Sequence, residues 1–181
     1  MHIIHDTIAL MEPYLRHYGL FALLVIIYLE SLGAPLPGES ALIGAALLAA
    51  DGQLPIVGVF LVVVVAAVAG DSTGYLIGRY GGRAVIQRFG RYIGLTDERQ
   101  RWIEGLYEKH GALVVVGARF VVVLRQLNGI AAGTMAMRWH AFFIANLAGA
   151  LLWAAVWTTI PYFFGDVIAQ HFGLHPMPAA K

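Results

Sequence analysis

The sequence predicts an all-α integral membrane protein. Its architecture reads as an inverted repeat of a re-entrant helical hairpin plus a transmembrane helix, with amphipathic N-terminal and connector helices. Three observations predict it. The mean hydropathy is +0.71 while only 13% of residues are charged, a balance that soluble domains do not show. Two runs, residues 56–80 and 139–164, are long enough to span a bilayer and carry small residues four apart. Four chargeable side chains, Glu30, Glu39, Arg119 and Arg125, stand inside two apolar stretches that are broken before they can span. A charge near the bilayer centre costs about 2.5–3.5 kcal/mol even on the lenient insertion scale. Four of them persist only if they face one another, a cavity or a ligand.

Residues 3–18 read as an amphipathic interfacial helix, or as one packed on the bundle. Ile4, Ile8, Met11, Leu15 and Tyr18 share a face that His5, Glu12 and Arg16 avoid. Residues 20–50 form hairpin one: a run to Leu29, the break Gly33-Ala34-Pro35-Leu36-Pro37-Gly38, and a run from Ala41. Proline removes an amide donor and glycine favours irregular backbone, so the break is not regular helix. Each run is shorter than the about 20 residues a crossing needs. Such a segment enters and returns, and its tip must be buried in protein or line a wet cavity.

Asp51-Gly52-Gln53-Leu54-Pro55 is a turn, and residues 56–80 follow as a span. Ala66, Gly70, Gly74 and Gly78 make a small-residue stripe for close helix approach. Asp71, Tyr75 and Arg79 form a row beside it. The row offers Asp71 and Arg79 either a structural ion pair or a gating role. The basic connector 81–110 is expected on the cytoplasmic side. Within it a helix over 96–110 starts at an N-cap, Thr96, and Gly111 can end it. Residues 112–136 form hairpin two, with its break around Arg125–Gly129. The second span, 139–164, repeats the small-residue stripe at Ala141, Ala145 and Gly149. Asn146 lies on it and is expected to satisfy backbone at a helix interface, or else to touch substrate. His140 beside Trp139 reads as an interface anchor. The tail 171–181 reads as loose. With this topology both termini lie outside and the two hairpin-plus-span copies run in opposite senses, the transporter design of discontinuous helices meeting at mid-membrane.

Length and composition exclude several classes. The 181 residues leave room for one compact domain, and there is no cysteine for a disulfide, thiol nucleophile or thiolate metal site. A net charge of +1 gives no reason to expect a nucleic-acid partner. Met1–Asp6 has no basic region typical of a signal peptide, so insertion through internal segments is expected. No cofactor or metal is expected, since the histidines show no ligand spacing. No enzyme activity is expected either: Gly38-Glu39-Ser40 is not preceded by a strand, and His140 sits at the membrane edge. The sequence assigns no oligomeric state.

The residues that break the pattern also carry a resemblance. They are Glu30 followed by Pro35-Leu36-Pro37-Gly38-Glu39-Ser40, then Gly70-Asp71-Ser72-Thr73-Gly74-Tyr75-Leu76-Ile77-Gly78-Arg79. Arg119-Phe120 with Arg125, Ala132-Gly133, Met137, Asn146, Gly149-Ala150 and Trp153 complete it. Together they resemble the DedA family, also called the SNARE-associated or VTT-domain family. The resemblance implies two re-entrant hairpins packed tip to tip in the bacterial plasma (inner) membrane. It implies translocation of a phosphate-bearing lipid, a polyprenyl phosphate or a glycerophospholipid, with protons as candidate coupling ions. The functional residues it implies are Glu30, Glu39, Arg119 and Arg125. One departure bears on shape. The family often has proline where Val122 and Gly129 stand here. Gly129 after Asn128 can still break a helix; Val122 cannot, which predicts a second hairpin less kinked before its tip.

The side chains suit that function. Arginine keeps its charge and presents a planar fork that matches a phosphate. Two neighbouring desolvated carboxylates are plausible proton carriers. The four charges can equally be a staple holding two hairpins together. Two other functions remain open, a proton-coupled exporter of small ions or drugs and a non-transporting membrane-organising protein.

Overall fold

The computed structural model describes residues 18–89 and 97–164. All regular structure among them is helical. The helices are α1 (Leu20–Leu32), α2 (Gly38–Ala50), α3 (Ile56–Phe89), α4 (Asp97–Ala118), α5 (Val122–Thr134) and α6 (Trp139–Phe163). The expected N-terminal helix over 3–18, the Thr96 cap and the tail 171–181 lie outside the described residues, apart from Tyr18.

Among the described residues two segments are long and apolar enough to cross a membrane: Ile56–Gly81 of α3 and the whole of α6. Helix α3 continues past its apolar part to Phe89, so the basic connector begins as helix. At about 1.5 Å per residue its length exceeds a hydrocarbon core of roughly 30 Å. Val57, Leu61 and Val65 recur every fourth residue on α3 and are exposed, as are Ile144, Leu151, Leu152, Val156 and Ile160 on α6. Exposed aliphatic stripes of that length suit lipid and not water.

Helices α1 and α2 have 13 residues each, as does α5. All three end in the same way. The glycine after α1, Gly33, has φ +116; its N–H donates to the Glu30 carbonyl and the Ala34 N–H to that of Leu29, both at 3.0 Å. Gly52 closes α2 with φ +75 and the equivalent two bonds. This is the Schellman closure, in which a left-handed residue satisfies carbonyls that the helix leaves free. At the end of α5 the left-handed residue is Ala136, φ +54, although its side chain is disfavoured there.

One expectation needs correction. The break in the second apolar stretch falls at Arg119–Val121, not around Arg125–Gly129, and α5 runs through Asn128 and Gly129 without interruption. Val121 is extended, φ −117 and ψ 116, and opens α5 with no side-chain cap. Of the valines there only Val121 is extended, and Val122 already begins α5, so the break is made without a proline. Gly129 is used for close approach instead. The expected end of the connector helix near Gly111 falls at a kink: His110 has non-helical φ −135 and ψ 23, and a second helical segment continues from it to Ala118.

The chain forms two compact units. One holds the described residues up to Ile27, then Leu36–Ala66 and those from Leu152 on. Leu23, Ile27, Leu42, Val59, Val63 and Trp153 are its largest fully or nearly fully buried side chains, alongside the alanines of α2. The other holds Tyr28–Pro35 and Ala67–Leu151. Its core is Tyr75, Val115, Ala132, Phe142 and Ala145, with Tyr75 stacked on Phe142 at 4.7 Å and edge-on to Trp139 at 5.1 Å. Inside this second unit α3 and α5 meet backbone to backbone. A Cβ on Gly78 would strike the Ile130 carbonyl, one on Gly129 that of Asp71, and one on Gly133 that of Tyr75. Van der Waals contact of this closeness, not hydrophobic exclusion, is what holds helices together in lipid.

Candidate functional site

The charged groups of the second unit are brought in by those close approaches. Glu30 is in the last turn of α1. A Cβ on Gly70 would lie 2.5 Å from the Tyr28 carbonyl and 2.8 Å from the Ser31 Cβ, so only glycine lets α1 end against α3 there. Gly33 likewise faces the Gln126 carbonyl of α5 at 3.4 Å. Arg125, in the first turn of α5, then donates to the Glu30 Oε1 at 2.7 Å. Tyr28 and Thr73 share a 3.0 Å hydrogen bond beside it, joining α1 to α3 again.

A second pair lies deeper. Arg119 is the first residue after α4 and is 1% exposed; Asp71, next to Gly70 on α3, is fully buried. The Arg119 Nη2 donates to the Asp71 Oδ2 and, at 2.6 Å, to the Asn146 Oδ1 of α6. Gly149 makes room for it: a Cβ there would lie 2.9 Å from the Arg119 Cδ. Asn146 also reaches the Val68 carbonyl, at the 3.5 Å limit. The Asp71 Oδ1 and the Arg119 Nε have no hydrogen-bond partner among the described residues. Each half of this pair therefore keeps unused capacity in a place where an unmet polar atom costs about 1–3 kcal/mol.

The two pairs act on one another. The Arg125 charge is felt at both Asp71 and Arg119. Two guanidinium and two carboxylate groups make a formally neutral quartet, supported by neutral side chains. Asn128, 1% exposed on α5, donates to the Val115 carbonyl at 3.0 Å. Tyr107 of α4 reaches the Asn128 Oδ1 at 3.5 Å. Burial, reinforced by the Asp71 charge, pushes the Tyr107 hydroxyl above its ordinary range, so it stays a donor.

The residues singled out in the sequence fall in three places. Glu30, Arg125, Arg119, Asp71 and Asn146 come together in the second unit. Glu39 lies half-buried in the first turn of α2, in the first unit. Arg79 is exposed. The structural ion pair considered for Asp71 and Arg79 does not form: they are two turns apart on one helix, and Asp71 turns to Arg119 instead. Asn146 makes the backbone contact expected of it, to the Val68 carbonyl, and also accepts from Arg119. Asn128 and Tyr107 were not singled out. The sign available was an amide inside an apolar helix, which in lipid must find a partner. Among the described residues no group of three or more metal-ligating side chains is placed to hold an ion.

The VTT domain family matches residues 36–163 of the chain. An uncharacterized membrane protein of Synechocystis is 35% identical over 153 residues, covering 84% of this chain and 70% of that protein. An uncharacterized membrane protein of Mycobacterium tuberculosis is 37% identical over 151 residues, covering 81% of this chain and 69% of the other. The protein DedA of Escherichia coli is 32% identical over 179 residues, covering 91% of this chain and 78% of its own length. No solved structure matches.

Proposed function

The chain belongs to the VTT-domain family of membrane proteins, the family of DedA, and from that premise we propose that it moves a phosphate-bearing lipid across the bacterial plasma membrane. The observation that carries the reading is the pair of buried arginine–carboxylate contacts, Arg119 with Asp71 and Arg125 with Glu30. A lipid phosphate, of a polyprenyl carrier or a glycerophospholipid, is the ligand that two such forks fit. The carboxylates hold the arginines while no lipid is bound. When phosphate takes their place, an unpaired buried carboxylate is costly, and a proton relieves it. Proton uptake is thereby linked to lipid binding, with no covalent step.

The same reading takes α1–α2 and the segment from residue 112 to 136 as re-entrant hairpins in an inverted repeat. Two packing details support it. Gly70 of α3 lies against the end of α1, and Gly149 of α6 lies against Arg119 and Val116 at the end of α4. The basic connector 81–110 faces the cytoplasm on this reading. Glu39 is assigned to the tip of the first hairpin, as a second proton-carrying group.

Liposomes containing the purified protein test this, with labelled polyprenyl phosphate or phospholipid on one leaflet. Transfer above empty vesicles is expected, with loss of most of the rate in Arg125→Ala. Transfer no faster than in empty vesicles for every lipid would point to a membrane-organising role. Small-ion export that survives Arg119→Ala and Arg125→Ala but fails in Glu30→Gln would replace the lipid by another substrate.

A further inference from the structure

A cavity of about 340 Å³ opens where the apolar part of α3 ends and α6 begins, away from the buried quartet. Arg79 and Arg138 are both in its wall, and both are exposed. Neither has an ion pair or a side-chain hydrogen bond to another described residue. Tyr80, 86% exposed, and Trp139 stand beside them. The floor is built from the short link after α5. Ala136 is left-handed there, and the Met137 carbonyl is held by the Tyr75 hydroxyl at 2.5 Å. The cavity is thus a fixed concavity and not a gap between loose side chains.

Its level in the membrane follows from the helices. The apolar part of α3 runs to Gly81 and that of α6 starts at Trp139, so both cross the boundary between hydrocarbon and water here. Tryptophan and tyrosine favour that boundary. On the membrane side of the two arginines the surface turns aliphatic. Leu76, which lines the cavity, and Ile77 are exposed on α3, as is Ile144 on α6. A soluble anion would use the arginines and leave this aliphatic slope bare. A lipid uses both, with the phosphate at Arg79 and Arg138 and the acyl chains along Leu76 and Ile144.

We propose that this cavity binds the headgroup of an anionic glycerophospholipid at the membrane surface, as a site separate from the buried arginine–carboxylate pairs. The inference needs the chain to lie in a membrane but not that it transports lipid. A basic side chain near an anionic membrane surface is worth about 1 kcal/mol, or about fivefold in affinity.

The test is lipid binding to the purified full chain in non-ionic detergent, read by native mass spectrometry. Phosphatidylglycerol, phosphatidylcholine and inorganic phosphate are titrated separately. Phosphatidylglycerol is expected to bind at about tenfold lower concentration than phosphatidylcholine or more. Arg79→Gln and Arg138→Gln are each expected to weaken it about fivefold, and the double variant about 25-fold. Removing the same charge from the connector, in Arg99→Gln with Arg101→Gln, should change it by less than about twofold. Equal affinity for the two lipids, an unchanged double variant or an equal loss in the connector variant overturns the proposal. Inorganic phosphate that displaces phosphatidylglycerol at matched concentration overturns the lipid as occupant. A measurement on the unsubstituted chain guards against a misfolded variant. Phosphatidylglycerol brominated high on its acyl chains should quench Trp139 emission more than brominated phosphatidylcholine, a difference that Trp139→Phe abolishes. Equal quenching by the two overturns the site.

Discussion

Arg125 and Glu30 are each almost fully buried and sit 2.7 Å apart. Removing one takes from the other its ion-pair partner in a weakly polar interior, and breaking a buried pair in this way costs about 3–5 kcal/mol. Removing both removes the debt along with the bond. The expected outcome is strong non-additivity. Glu30→Gln and Arg125→Gln should each lower the unfolding free energy in detergent by several kcal/mol, and the double variant by less than the larger single loss. A double-mutant cycle read by denaturant unfolding measures this directly. Additive losses would mean that the two charges do not depend on one another, and the exchange with phosphate would lose its basis. The Asp71–Arg119 pair includes a third group, because Asn146 accepts from the same Arg119 Nη2. On the proposed function the unused Arg119 Nε would donate to an incoming phosphate oxygen and the unused Asp71 Oδ1 would take a proton.

Helices α1, α2 and α5 close with one left-handed residue each, and only α5 uses a side chain other than glycine there. An L-residue in that conformation costs about 1–2 kcal/mol, partly offset by the greater freedom glycine has when unfolded. Ala136→Gly is therefore expected to raise stability by about 0.5–1 kcal/mol, read as a higher thermal midpoint in detergent. A lower midpoint would show that the Ala136 methyl contributes packing that the backbone argument omits. These elements also show what the sequence could disclose. The two spans followed from length and hydropathy alone, and the first break followed from Pro35, Pro37 and their flanking glycines. The second break did not, because Gly129 has two physical uses, to interrupt a helix or to let another backbone touch it. Only the presence of Asp71 opposite decides between them. The partner of Asp71 was illegible for a related reason. Spacing along α3 reveals which residues share a row, so Arg79 was visible. Arg119, 48 positions on, becomes its partner only through the folding of α4 and α6 around the glycines. Asn128 was hidden by its neighbour, since Asn-Gly reads locally as a turn.

At the scale of the whole molecule the charge balance constrains how a cycle can run. The two arginines and two carboxylates of the second unit sum to zero, and on the proposed function a lipid phosphate would bring at least one further negative charge among them. Buried charge that is not balanced is too costly to be an intermediate. A cycle that keeps the site neutral must take up a proton with each lipid phosphate. Linkage then sets the sign: a step that binds one proton more than its starting state is favoured as pH falls, by at most tenfold per pH unit. The initial rate of lipid transfer into protein-containing liposomes is expected to rise as pH falls. Glu30→Gln mimics the protonated acid and should flatten this dependence more than it lowers the rate at the acidic end. A rate independent of pH in the unsubstituted protein would remove proton uptake from the cycle while leaving lipid transfer intact. A pH dependence unchanged in Glu30→Gln would move the proton uptake away from Glu30. Asp71→Asn, which breaks the contact to Arg119, then tests the other arginine-bound carboxylate: a flattened pH dependence there, with the Arg125–Glu30 contact left in place, would assign the proton to Asp71.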